Sequence, residues 1–202
     1  MPLQTAVFLD YQNIYSGARE TFDLGDDRRH GQIDPVRLAH LLVGRSRDRK
    51  VSEIRIYRGL PDALKQPKGY RANRRQVARW EQAGCTVILR GLRYPSGWPA
   101  ARAVEQGVDV ALAVDFVMMA FGKAYDRAIL MSTDTNLRPA LAAVASLPAS
   151  HPVPMCDVAA WSAVHPSSQR LSIPGRRLWC HWLDRQDYEQ VKDLTDYTRL
   201  RP

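Results

Sequence analysis

The chain has 202 residues, 45% of them hydrophobic, and a net charge of +8 from 29 lysines and arginines against 21 aspartates and glutamates. This length suits one domain, or one domain with an appendage, and the apolar share is enough for an ordinary core. No apolar run approaches the roughly 20 residues that span a bilayer, no basic leader opens the chain, and Cys85, Cys156 and Cys180 stand far apart without zinc spacing. A soluble, cytoplasmic protein with reduced thiols is therefore expected, and a membrane partner is not.

Thr5–Leu9 is a short apolar run that suits a buried parallel strand and ends in Asp10. Residues 16–33 are polar, contain Gly17, Gly25 and Gly31, and read as a loop or a poorly packed helix. Asp34-Pro35 places an N-cap acid before a first-turn proline and predicts a helix to about Gly44. Val51–Tyr57 alternates apolar and polar residues and predicts a strand. Residues 69–83 predict a helix closed by Gly84. Cys85–Leu89 predicts the next strand, Tyr94–Pro99 a loop, and Val104–Phe121 a long apolar helix. Arg127–Met131 predicts a strand, Leu137–Ala145 a helix, and Val153–Met155 a short last strand.

This alternation predicts an α/β domain with a central, mainly parallel sheet over residues 1–160. In such sheets ligands bind beyond the carboxyl ends of the strands. From Trp161 the composition changes, so residues 161–202 are expected to form a small C-terminal extension packed on the domain. Within it, Leu171–Ile173 and Leu178–Trp182 could pair as a hairpin about Pro174-Gly175, and residues 184–194 could form a short helix.

Three acidic stretches fall at the ends of these elements: Asp10, then Glu105 with Asp109, then Asp134. Acids gathered at one sheet edge of a basic protein point to Mg²⁺ or Mn²⁺, hard cations that take carboxylates and water and leave positions for phosphate. For Asp10 the plainer alternative is a turn-forming or capping aspartate. Asn13 can hydrogen-bond the loop backbone or orient water or phosphate, the plainer alternative being an ordinary turn asparagine. Glu105 and Asp109 share a face if the helix has begun by Glu105. Asp115 lies roughly 120° from Asp109 on that helix and needs a partner if buried; it is a secondary candidate, the alternative being an aspartate paired with an arginine. Asp134 can cap the next helix and hold a metal at once. There is no P-loop, GxSxG, GxGxxG or DxDxT strand end, and the five histidines show no ligand spacing.

The positive charge is concentrated: residues 45–102 hold 15 lysines and arginines against four acids. Arg71, Arg75 and Arg79 recur every four residues, flanked by Lys68 and Arg74, and form a stripe that suits a phosphate backbone. Tyr70 and Trp80 lie in the same stretch; aromatics among arginines suit single-stranded RNA, although Trp80 fits a core position better.

The order FLDYQNIY, then EQGVDVALAVD, then an apolar strand into STDTNLRPAL resembles the NYN domain family of PIN-like proteins, over roughly residues 4–157. The resemblance implies a PIN-like three-layer sandwich and Mg²⁺- or Mn²⁺-dependent ribonuclease activity on single-stranded or structured RNA. It implies Asp10, Asp109 and Asp134 as metal ligands and, with Asn13, as the catalytic set. Where the family often reads Ser-Gly-Asp-Ser-Asp-Phe, this chain reads Ser132-Thr133-Asp134-Thr135-Asn136-Leu137. Asn136 can ligate through its carbonyl but removes one negative charge, which Glu105 would restore. The leading expectation is a ribonuclease. The alternatives are an RNA-binding or regulatory module with a site weakened at Asn136, and a protein whose Trp179–Trp182 segment docks another chain. Homo-oligomer formation is left open.

Overall fold

The structure, a computed structural model, describes residues 1–148, 155–163 and 169–199. Its centre is strand β1 (Leu3–Asp10), in which the last six residues are buried. The chain continues through α1 (Tyr11–Phe22), α2 (Pro35–Gly44), β2 (Arg49–Leu60), α3 (Pro67–Gln82) and β3 (Thr86–Gly91). Then come α4 (Val108–Phe121), β4 (Arg127–Met131), a 3₁₀ turn (Thr135–Leu137), α5 (Arg138–Ala145), β5 (Cys156–Trp161), β6 (Cys180–Leu183) and α6 (Arg185–Val191). The six strands form one sheet in the order β3-β2-β1-β4-β5-β6, with every neighbouring pair parallel.

Parallel sheets need both faces covered, and the period of two along each strand supplies two apolar faces. Ala6 and Phe8 of β1 join Ala128 and Leu130 of β4 beneath α4 and α5. Val7 and Leu9 join Ile129 and Met131 on the other face, beneath α1, α2, α3 and α6. The result is a PIN-like three-layer α/β sandwich. Because β2 leaves β1 on one side and β4 on the other, the strand order reverses at β1. The carboxyl ends of β1 and β4 therefore flank a natural crevice.

Three boundaries differ from the sequence reading. Helix α1 occupies Tyr11–Phe22 and so runs into residues that read as a loop or a poorly packed helix; only Tyr11, Ile14 and Ala18 are buried along it, a thin apolar stripe that fits the second of these. Helix α4 starts at Val108 instead of Val104. Gly107 adopts φ 71°, a left-handed conformation that glycine tolerates and that breaks the helix there. Glu105 thus lies in the preceding loop and shares no helical face with Asp109. Finally, the expected strand at Val153–Met155 falls mostly outside the described residues, and the observed β5 begins at Cys156.

The tail also pairs differently from the expected hairpin. An isolated antiparallel bridge joins Ile173 and Arg176 around Pro174-Gly175, but Cys180–Leu183 adds to the sheet as a strand parallel to β5. Helix α6 follows with a capping box from Asp184 and Asp187. Arg45 of the α2 end donates to the Trp182 carbonyl at 2.7 Å and to Asp187 at 2.6 Å. Gly31 N–H donates to Tyr188 Oη at 2.8 Å. No helix among the described residues is long and apolar enough to cross a membrane.

Leu183 is fully buried where β6 meets α6. Leu183→Ala is expected to destabilise the whole chain by about 2–5 kcal/mol in urea denaturation. A single unfolding transition should persist; a separate early transition for the tail would show that β6 is not part of the cooperative unit.

Candidate active site

Asp10 is both the last residue of β1 and the N-cap of α1. Its Oδ1 accepts the Asn13 backbone N–H at 3.3 Å and its Oδ2 accepts the Ser132 hydroxyl at 2.9 Å. Ser132, just past β4, is itself buried and accepts the Asp134 N–H at 3.0 Å. Asp134 caps the 3₁₀ turn, taking the Asn136 N–H at 2.9 Å. The Asn13 side-chain oxygen accepts from Thr133 N at 3.0 Å and from Thr133 Oγ1 at 3.2 Å. Asn13 therefore clasps the loop after β4 to the start of α1. The two strand ends that flank the crevice are joined by three hydrogen bonds, Ser132 to Asp10 and two from Thr133 to Asn13, and one local bond on each side braces them.

Glu105 reaches the same edge from the loop before α4, where its Oε1 accepts the Gly59 N–H at the end of β2. Gly59 is required by this approach: a Cβ there would lie 2.8 Å from Glu105 Oε1, 2.9 Å from Glu105 Cγ and 2.3 Å from Leu92 Cδ2. Burial is the main cause that pushes the Asp10 carboxyl up to about 6, from an ordinary 3.8; the Ser132 and Asn13 hydrogen bonds oppose it, and the charges of Glu105 and Asp134 add to it. Burial likewise raises Glu105, with the Gly59 N–H and Arg58 opposing and Asp109 adding repulsion. Asp10, Glu105, Asp109 and Asp134 thus form one electrostatically linked acidic group at the carboxyl edge of the sheet. Among the described residues, no three His, Cys, Asp or Glu side chains are assembled as a closed ligand set.

The FLDYQN and STDT motifs, 120 residues apart, thus meet at one edge of the sheet. The NYN domain family model matches residues 4–147. The chain belongs to the NYN domain family. No curated protein and no solved structure matches it. NYN domains have a PIN-like nuclease-type fold and act on RNA, which supports hydrolase activity at that coarse level.

The NYN domain carries a cation at its acidic edge that sequence reasoning missed. Arg58 of β2 lies over the Tyr11 ring at 4.7 Å and the Trp80 ring at 5.5 Å, and donates to Gln76 Oε1 at 2.5 Å. Gln76 in turn donates to Tyr11 Oη at 3.0 Å and to Gln32 Oε1 at 3.1 Å. Asn73 fixes the adjacent backbone by donating to the Gly59 carbonyl at 3.1 Å. Tyr11, Arg58 and Glu105 line a cleft of about 640 Å³, with Arg28 and Arg29 on one side and Thr195–Thr198 of the tail on another. Only the local Arg-Gly pair at the end of β2 hinted at this cation; its partners are far away in sequence.

The expected basic stripe divides. On α3 the cleft is lined by Gly69, Ala72, Asn73 and Gln76, so Arg71 and Arg75, one position earlier, lie about 100° around the helix. Arg75 donates to the Tyr197 carbonyl at 3.0 Å and Arg79 to Thr195 Oγ1 at 3.2 Å, which ties both to the tail. Lys68, Arg71 and Arg74 are exposed. Trp80 is 3% exposed and packs on Tyr11 at 4.6 Å, a core residue.

Asp109 sits half-buried in the first turn of α4, and Asn136 is exposed with its backbone N–H on Asp134. Asp115 stands apart, a correction to its place among the secondary site residues. Its Oδ2 accepts from Arg55 Nη2 at 2.7 Å and from Tyr57 Oη at 2.9 Å. The carboxylate is thereby neutralised within the α4 layer, as an apolar helix requires.

The raised Asp10 pKa makes a stability prediction. As pH rises from about 4 to 6 the unfolded chain ionises Asp10 while the folded chain resists, so stability falls across that window, by up to about 3 kcal/mol. Asp10→Asn removes this penalty. The variant is expected to exceed the parent in urea stability at pH 8 and to show no such gain at pH 4. A gain independent of pH would mean that Asp10 is not the group responsible.

Proposed function

We propose that this NYN domain is a divalent-metal-dependent ribonuclease that hydrolyses RNA phosphodiester bonds at the Asp10 edge. The observation that carries the reading is Asp10 itself, a buried carboxyl at the strand-order reversal whose pKa is raised by burial and further by Glu105 and Asp134. Mutually repelling carboxylates of this kind gain stability from a cation placed between them. The donors are all oxygen, which suits Mg²⁺ or Mn²⁺, and such ions are commonly held by one or two carboxylates together with water and substrate phosphate.

Asp10, Asp134 and Asp109 would hold the ion, with Glu105 contributing the negative charge that Asn136 lacks. When bound, the ion supplies Lewis-acid stabilisation of the phosphodiester and acidifies water. Deprotonated Asp10 accepts hydrogen bonds from Ser132 and the Asn13 N–H, which fix the orientation of its oxygens. Asn13 and Ser132 keep the β1 and β4 ends at a constant separation, so the acids stay aligned. Arg58, held flat against Tyr11 by Gln76, is placed to bind a phosphate oxygen entering the cleft. Lys68, Arg71 and Arg74 would hold the RNA backbone further along.

A second reading, an RNA-binding module with a weakened site, rests on exposed Asn136 and on the exposed basic residues Lys68, Arg71 and Arg74. Incubation of the full chain with mixed single-stranded and structured RNA in Mn²⁺, Mg²⁺ or EDTA separates the two. Cleavage is expected only with metal, and Asp10→Asn should slow it by about 100-fold or more. Arg58→Gln should raise KM by about tenfold with a smaller effect on kcat. Asp115→Asn should keep cleavage while losing about 1–3 kcal/mol of stability. Undiminished cleavage in EDTA or by Asp10→Asn would refute the metal assignment, and salt-sensitive binding without cleavage would favour the binding module.

A further inference from the structure

The amino-terminal edge of the sheet, opposite the acids, contains a separate cavity of about 900 Å³. The starts of β2, β4, β5 and β6 bring Arg49, Arg127, Asp157 and His181 to its wall, and the segment before β6 adds Arg177 and Trp179. Arg127 pairs with Thr5 across the sheet. Thr5 precedes Asp10 by five residues, so at ~3.3 Å per residue the two edges are about 17 Å apart.

Arg127 is 4% exposed as a whole residue, and among the described residues no hydrogen bond or ion pair engages its guanidinium, whose nitrogens keep access to the cavity. Burial lowers its pKa; Asp157 and Asp48 oppose that and Arg49 adds repulsion. The Asp157 Oδ2 is already taken by Arg49 Nη1 at 2.5 Å and faces His181 Nε2 at 3.3 Å. The Arg49 Nε is buried with no partner. Arg177 is exposed at the rim. The cavity therefore holds more guanidinium charge than carboxylate, with N–H donors left over. Buried, unpaired cations are costly, and planar forks of N–H donors match phosphate oxygens. Trp179 is 68% exposed beside these arginines. A simple anion would answer the charges but not the open indole, whereas a phosphate attached to a base answers both.

We propose that this cavity binds a nucleotide monophosphate, with its phosphate on Arg127, Arg49 and Arg177 and its base against Trp179. The same chemistry is offered by a free nucleotide and by the 5′-phosphorylated end of an RNA chain. The proposal is independent of catalysis at Asp10.

Titration calorimetry of the full chain in EDTA tests it, with 5′-AMP, adenosine, inorganic phosphate, and one short RNA with and without a 5′-phosphate. Saturable 5′-AMP binding is expected, with phosphate at least about tenfold weaker and no binding of adenosine. Arg177→Gln and Trp179→Ala should each weaken 5′-AMP by about tenfold, and Asp10→Asn should leave it unchanged. Preference for the 5′-phosphorylated RNA would identify the chain end as the ligand; equal affinity for the two RNAs would identify the free nucleotide. Arg127→Met should abolish binding and leave the unfolding midpoint of the unliganded chain unchanged, because no hydrogen bond or ion pair is lost; an arginine serving structure alone would lower it. The proposal is overturned if 5′-AMP does not bind saturably, if Arg177→Gln and Trp179→Ala bind it with parental affinity, or if Asp10→Asn abolishes binding.

Discussion

The arrangement of this protein depends on a carboxyl group held at the end of the most buried strand. β1 lies between β2 and β4, and its side chains feed both core layers. A strand so enclosed can end only where the fold opens, at the reversal of strand order, and there Asp10 is placed. Burial makes its charge unfavourable, and the Ser132 hydroxyl and Asn13 N–H recover only part of the loss. The neighbourhood then adds Glu105 and Asp134, which make the charge less favourable still. Structure alone gives no reason to collect acids in this way, because a buried carboxyl at this position destabilises the fold near neutral pH. Such a cluster is intelligible as a site whose stabilising partner is a ligand.

The parts of the site that depend on one stretch of sequence were legible; those assembled across the fold were not. Arg127–Met131 was read with the bounds it has, because five consecutive buried residues leave no ambiguity of period. Asp34-Pro35 marked the start of α2 by cap chemistry alone. Asp134 was read as a cap beside the site, and it accepts the Asn136 N–H there. Asn13 was read as bonding loop backbone or orienting water or phosphate; its oxygen takes the Thr133 backbone N–H, and that this loop lies 120 residues away is what the local sequence did not show. Arg58 could not be singled out among the many basic residues of its stretch, since what distinguishes it is Tyr11, Gln76 and Glu105. Glu105 was a candidate for the wrong reason: the supposed helical face with Asp109 is broken at Gly107, and Gly59 is what admits its carboxylate. The sixth strand was read as an arm of a hairpin, and its true partner was missed, because only the free edge of β5 determines that Cys180–Leu183 pairs there in parallel.

The concentration of basic residues between 45 and 102 resolves into distinct structural duties. Arg55 neutralises Asp115 and Glu53 within the sheet–α4 interface. Arg58 enters the acidic cleft. Arg75 and Arg79 hold the tail, and Arg45 and Arg49 belong to the opposite edge. A local excess of charge in sequence is therefore not one patch in space. In a parallel sheet all strands point the same way, so residues at strand starts and residues at strand ends are sorted to opposite edges. Here the ends gather Asp10, Asp134 and Glu105, and the starts gather Arg49 and Arg127.

That sorting gives the tail its place in the argument. It contributes β6 and Trp179 to the basic edge, and Thr195–Thr198 to the wall of the acidic cleft. Between these two points it is fixed by Arg37, which donates to the Gln190 carbonyl at 3.1 Å and the Lys192 carbonyl at 2.8 Å, and by Asp34 N–H to the Val191 carbonyl at 2.7 Å. A segment so anchored transmits displacement poorly, because its helix is seated on α2. Its last turn is held differently: Thr195 and Tyr197 touch α3 through Arg79 and Arg75, two long side chains from the basic stripe. An RNA backbone drawn to that stripe would compete for the same guanidinium groups. The wall of the cleft beside Arg58 thus includes a tail segment held by Arg75 and Arg79.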